Sequence, residues 1–193
     1  MTQINKYTYG ETDISSFVVD TTNDNFLWIG FALNDDVCKL KKVSAMKPDQ
    51  IYFDISLSVT AINKIISDGT IIYCALDDDS IICRKFSKTN PITLTTDFSI
   101  PSGINEAPVD ALVSGSYIYF LTPGNISGEN AKIVKFTTGG SYVETIDLST
   151  VTNAKAFAES DVGEFWVITY KLPSEYIRVY QISGGSWTYT INT

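Results

Sequence analysis

Apolar and polar positions along this chain fall into four successive units with one layout. Each unit opens on a short apolar run, passes a turn, and continues into a second run that is apolar on nearly every residue. The second runs are NFLWIGF (25–31), TIIYCAL (70–76), YIYFLT (117–122) and EFWVITY (164–170). Aligned on Trp28, Tyr73, Tyr119 and Trp166, they recur at spacings of 45, 46 and 47 residues. In an extended strand Leu27, Ile29 and Phe31 face one way, and Trp28, Gly30 and Ala32 the other. A strand carries apolar residues on both faces only when both are packed.

The pattern predicts four strands in each unit. The first unit, about 13–59, places them at FVV (17–19), FLWIGFAL (26–33), CKLKKV (38–43) and IYFDISL (51–57). The second, about 60–104, gives INKII, TIIYCAL, IICRKF and ITLTTDFSI. The third, about 105–152, gives VDALV, YIYFL, AKIVKF and YVETIDL. The fourth, about 153–193, gives AKAFAE, FWVITY, YIRVYQI and WTYTIN. Gly, Asn, Asp, Pro and Ser mark nearly every boundary, as tight turns require. The fourth strands alternate: Ile92, Leu94, Phe98 and Ile100 interleave with Thr93, Thr95, Asp97 and Ser99. That is the pattern of a half-exposed outer strand.

Inner strands buried on both faces and amphipathic outer strands, repeated every 45–47 residues, resemble a β-propeller over residues 13–193. The resemblance implies an all-β fold of four four-stranded blades. It is architectural only. The chain has no GH…WD pair, no double-glycine kelch signature and no Asp-box; SDGTIIY (67–73) has the wrong spacing for the last. Most closed propellers have about five to eight blades. Four units therefore make either a compact four-bladed disc or half of a ring shared by two chains. The alternative is a tandem β-sandwich, in which two repeats make one domain of about 100 residues. Residues 1–12 hold INKYTY, an N-terminal strand or arm expected to pair with the edge at 187–192 or with another subunit.

Composition narrows the function classes. The 193 residues are 44% hydrophobic and 19% charged, a packed globular composition. The net charge is −8, so the basic footprint of a nucleic-acid binder is missing. No run approaches about 18 apolar residues, and the first residues lack a basic-then-apolar signal layout. The expectation is therefore no signal peptide and no membrane insertion, with a virion or cytoplasmic location favoured. Histidine does not occur, which removes His-based triads and the commonest metal ligand.

The remaining chemistry is sparse. Asp35 and Asp36 in the first unit, and Asp77, Asp78 and Asp79 in the second, share one loop position. Closely spaced carboxylates suit a hard cation such as Ca²⁺, but Asp also initiates turns. No EF-hand spacing accompanies them, so the expectation is no metal and no cofactor. Cys38, Cys74 and Cys83 are odd in number and lack a CxxC, which points to free buried thiols. If DDDS (77–80) is a hairpin turn, Cys74 faces Cys83. Third strands carry Lys39, Lys41, Lys42, Arg84, Lys85, Lys132, Lys135 and Arg178. Solvated strand positions paired with acidic neighbours explain this stripe. The sequon at Asn125 is expected to stay unmodified, and the four aligned aromatics are expected in blade cores.

These observations point to a non-catalytic scaffold working through protein partners or self-assembly, with a homo-oligomer among the options. A structural part of a phage or virus particle is the favoured setting. The alternatives are a lectin-like ligand-binding propeller and a carboxylate-based enzyme.

Overall fold

The computed structural model describes residues 13–20, 25–34, 37–47, 49–89, 92–125, 128–149, 151–159, 165–171, 176–183 and 186–192. Among them there are sixteen strands and no helix. In chain order they are β1 (Asp13–Val19), β2 (Phe26–Asn34), β3 (Val37–Ser44), β4 (Ile51–Leu57), β5 (Ala61–Ser67), β6 (Ile71–Asp77), β7 (Ile81–Ser87) and β8 (Leu94–Ser99). They continue with β9 (Asp110–Ser114), β10 (Tyr117–Thr122), β11 (Lys132–Thr137), β12 (Tyr142–Asp147), β13 (Ala154–Glu159), β14 (Phe165–Lys171), β15 (Tyr176–Ser183) and β16 (Ser186–Asn192).

The strands form four antiparallel sheets of four, each in plain sequence order: β1 to β4, β5 to β8, β9 to β12 and β13 to β16. Consecutive antiparallel strands need only short turns, and the Gly, Asp and Asn clusters supply them. At the β5–β6 turn Asp68 accepts the Ile71 N–H on its carboxylate while its own N–H donates to the Ile71 carbonyl. Every strand lies where the apolar pattern placed one. The first is longer than expected, beginning at Asp13, because Ile14 and Ser16 continue the pairing with β2 past a bulge. Each sheet takes its four strands from one unit of the sequence repeat. Residues 1–12, with the predicted arm, lie outside the described residues.

Two compact units divide the chain: Met1–Asp78 with Arg84–Thr95, and Asp79–Cys83 with Thr96–Thr193. In the first, Trp28, Phe53 and Phe86 form a run of tilted and edge-on ring contacts. Beside it Gly30 passes so close to β5 that a Cβ there would meet Ile62 at 3.1 Å. In the second, Phe98, Phe120 and Phe136 pack as one aromatic group. A further core joins Tyr119, Leu121 and Ile133 to Phe157, Phe165 and Val167.

The inner strands share a register with the sequence repeat. Phe17, Ile65, Ala111 and Phe157 pair with Ile29, Cys74, Phe120 and Val167, each one position along from the aligned aromatic. A bulge interrupts three of these strands at the same point: Ile14/Ser16, Ile62/Lys64 and Ala154/Ala156. Such a bulge increases local twist. Outer strands β4, β8 and β12 are largely exposed, as the alternating pattern predicted.

Candidate functional site

The second strands align an aromatic with a lysine on the third. Trp28 lies directly opposite Lys42, and Tyr119 opposite Lys135. The ammonium nitrogens stand 5.3 and 5.6 Å from those ring centroids, and Lys85 stands 5.9 Å from Tyr73. In the fourth sheet the partner of Trp166 is Gln181. Each cation–ring contact is worth about 0.5–1 kcal/mol when exposed and up to about 2 when dry. Trp28, Tyr73 and Tyr119 are buried, as expected of blade core. Trp166 is buried less completely than the other three.

The lysine stripe also needs correcting. Lys41 and Lys42 are buried, not solvated. Their ammonium groups stand over aromatic rings, Lys41 over Phe31 at 5.2 Å and Lys42 over Phe26 at 4.5 Å as well as over Trp28. Acidic neighbours do accompany part of the stripe. Asp54 takes Lys39 and Lys41 at 3.9 and 3.7 Å, and Glu144 takes Lys135 at 3.1 Å. The hydrogen bond to Glu144 raises the Lys135 pKa above its ordinary value, against the opposing pull of burial. Burial raises the phenol of Tyr119, and the nearby Lys135 charge partly offsets this. Lys132 donates to the Gly103 carbonyl.

An aspartate just after the first strand ties down the aromatic in two sheets. Asp20 is buried and its Oδ2 accepts the Trp28 indole N–H at 3.3 Å. Its Oδ1 takes the Lys88 ammonium at 3.0 Å, and Lys42 lies 3.7 Å from Oδ2. Asp68 accepts the Tyr73 hydroxyl at 2.6 Å. The sequence signal was an Asp just after the first strand in units one and two. It was hidden because the separation from the aromatic is eight residues in one unit and five in the other. These carboxylates are structural: each is fully engaged in holding a core side chain.

The acidic turns gather nothing comparable. Asp35 and Asp36 lie outside the described residues. Asp77 ends β6, where its carbonyl accepts the Thr60 N–H, and Asp78 and Asp79 form the turn that follows. Among the described residues no three carboxylates or thiols are grouped to hold a metal ion. Cys38, Cys74 and Cys83 are buried thiols outside any disulfide. Burial pushes the Cys38 thiol up to about 11 and raises that of Cys74 further. Such thiols are poor nucleophiles at neutral pH. Asn125 donates to the Glu129 carboxylate from its side chain.

Among the described residues, a shallow surface groove lies at the end of the first sheet. Asn25, Phe26, Ser44, Met46, Lys47, Gln50 and Tyr52 line about 670 Å³. The Ser44 hydroxyl accepts the N–H groups of Met46 and Lys47 and so shapes the β3–β4 turn. Phe26 and Tyr52 meet edge to face at 4.8 Å. Met46 and Tyr52 are both exposed.

No protein-family model and no curated protein matches the sequence. Solved structures do. The WD40 β-propeller domain of Doa1 superposes with a TM-score of 0.62 at 14% identity, over 92% of this chain and 54% of that one. The Dos1 propeller gives 0.64 at 14% identity, over 93% and 47%. The architecture is that of a β-propeller repeat protein. A structure of prolyl endopeptidases also matches, with a TM-score of 0.55 at 10% identity, over 89% of this chain and 25% of that one. At such identities the likeness establishes the propeller fold alone. The chain spans about half the length of the two named propellers.

Proposed function

We propose that this chain is a non-catalytic propeller scaffold of four blades, residues 13–193, that holds protein partners through its loops. The groove at Phe26, Met46 and Tyr52 carries this reading. Its lining sets the Phe26 and Tyr52 rings beside Asn25, Ser44, Lys47 and Gln50, and an exposed methionine adapts to varied apolar shapes. Aromatic residues and methionine are enriched at protein interfaces. The groove suits a short extended segment with one apolar or aromatic anchor. Among the described residues, the buried charges of Asp20, Lys42 and Lys88 are held in structural pairs. No observation favours a lectin, a carboxylate enzyme or a place in a virion.

A photo-reactive amino acid at position 46 tests the reading. Expected are crosslinks to defined proteins that disappear with Tyr52→Asp, whose fold is checked by circular dichroism. Crosslinking unchanged by that substitution would count against the groove. Turnover in a hydrolase screen would count against the non-catalytic assignment.

A further inference from the structure

We propose that the partner segment seated in the groove at Met46 is acidic: an extended peptide whose apolar or aromatic anchor is flanked by carboxylates, one of which meets Lys47. The proposal rests on the reading of that groove as a partner site and adds the chemistry of the partner.

The charge of the lining carries the argument. Lys47 is its single charged residue. The chain holds 22 acidic against 14 basic residues, so a basic side chain readily finds a carboxylate. The three lysines of β3 all do. Lys39 and Lys41 share Asp54 at 3.9 and 3.7 Å, and Lys42 lies 3.7 Å from Asp20. Lys47 is exposed and makes no ion pair with any of the described residues, Asp49 of its own turn included. An acidic protein thus presents a groove with one unneutralised ammonium and no carboxylate in its lining. Charge of this kind decides which segment enters more than how tightly it is held.

Backbone hydrogen bonds fix where Lys47 stands. The Ser44 hydroxyl accepts the N–H groups of Met46 and Lys47 at 3.3 and 3.1 Å, and the Gln50 N–H donates to the Lys47 carbonyl at 2.8 Å. The Ala45 N–H donates to the Asn25 carbonyl at 2.6 Å, which ties this turn to the start of β2. Phe26 opens β2 and Tyr52 lies in β4, so the turn that carries Lys47 is held beside both rings. An anchor resting on those rings brings the residues next to it within reach of a flexible four-carbon lysine stem. The side-chain amides of Asn25 and Gln50 each offer a donor and an acceptor to the backbone of an extended segment.

The test is an NMR titration of the full chain, labelled with nitrogen-15, against three synthetic peptides. They share a central leucine and differ in flanking it with aspartate, serine or lysine. The amide signals of Phe26, Met46, Lys47, Gln50 and Tyr52 are expected to shift. The aspartate peptide is expected to bind about two- to fivefold more tightly than the serine peptide, the gain one exposed ion pair supplies, and the lysine peptide most weakly. Salt at about 0.5 M is expected to erase that order by screening. Lys47→Glu, at an exposed position and with its fold checked by circular dichroism, is expected to reverse it. Equal affinities at these signals, or an order that Lys47→Glu leaves unchanged, overturn the acidic partner while the groove reading stands. No shift of these signals with any of the peptides overturns both. Shifts that arise on concentrating the chain alone place a second copy in the groove and overturn the acidic partner.

Discussion

The indole N–H of Trp28 and the ammonium of Lys88 converge on the two oxygens of one buried carboxylate, Asp20. Lys88 is 68 residues along the chain from Asp20, so the contact pins the second sheet's third-strand end to the first sheet's opening turn. Removing one partner of a buried pair leaves the other charge unpaired in a poor solvent. Asp20→Ala is therefore expected to destabilise the protein by about 3–5 kcal/mol. Urea unfolding measures this; a loss below about 1 kcal/mol, the scale of an exposed pair, would show that water replaces the carboxylate.

The aligned aromatics are not energetically equal. Trp28→Ala empties a fully buried site and is expected to cost about 3–5 kcal/mol. Trp166→Ala is expected to cost clearly less, because part of that ring already faces solvent. Equal midpoint shifts for the two variants would contradict the difference in burial.

Alkaline stability carries a thiol signature. The Cys38 pKa rises from 9.0 to about 11 in the folded chain, chiefly through burial. Its folded state holds the proton more tightly, so this contribution is complete below pH 9 and is lost as pH rises through about 11. Cys38→Ala is expected to flatten the loss of stability across that window. Denaturation midpoints at successive pH values check it, and an unchanged pH slope in the variant would refute it. A thiol reagent at neutral pH should leave all three cysteines unmodified until the chain unfolds.

Two glycines separate backbone strain from steric conflict. Gly103 and Gly124 both have positive φ, 83° and 65°. A Cβ on Gly103 meets nothing within 4 Å, whereas on Gly124 it would overlap the backbone nitrogen of Ala131. Gly103→Ala is expected to cost about 1 kcal/mol, from the left-handed conformation alone. Gly124→Ala is expected to cost more and to disturb the 123–131 loop. Thermal unfolding of the pair reads the difference, and equal costs would place the loop's tolerance above that of the packed backbone.

Much of the architecture was legible in the sequence because strand burial leaves a local trace. The two-faced apolar run FLWIGFAL and the alternating ITLTTDFSI carry their places, inner and outer, in a period of two. Turn residues carry the boundaries, and the 45–47-residue recurrence carries the repeat. All of this is information within one strand or one hairpin.

What only the tertiary structure decided concerns partners far apart in the chain. Lys42 looked like a solvated strand residue, because a long charged side chain in an alternating run usually is one. It is instead buried, its ammonium over the Phe26 and Trp28 rings and 3.7 Å from Asp20 Oδ2. Trp166 looked like Trp28, since both sit in the same local pattern, but a side chain's burial depends on whether another sheet covers its face. Phe17 and Ile65 make the same point in reverse. Their strands and register match, yet Phe17 is 65% exposed and Ile65 1%. Periodicity records which way a side chain points; contact between sheets decides what it meets there.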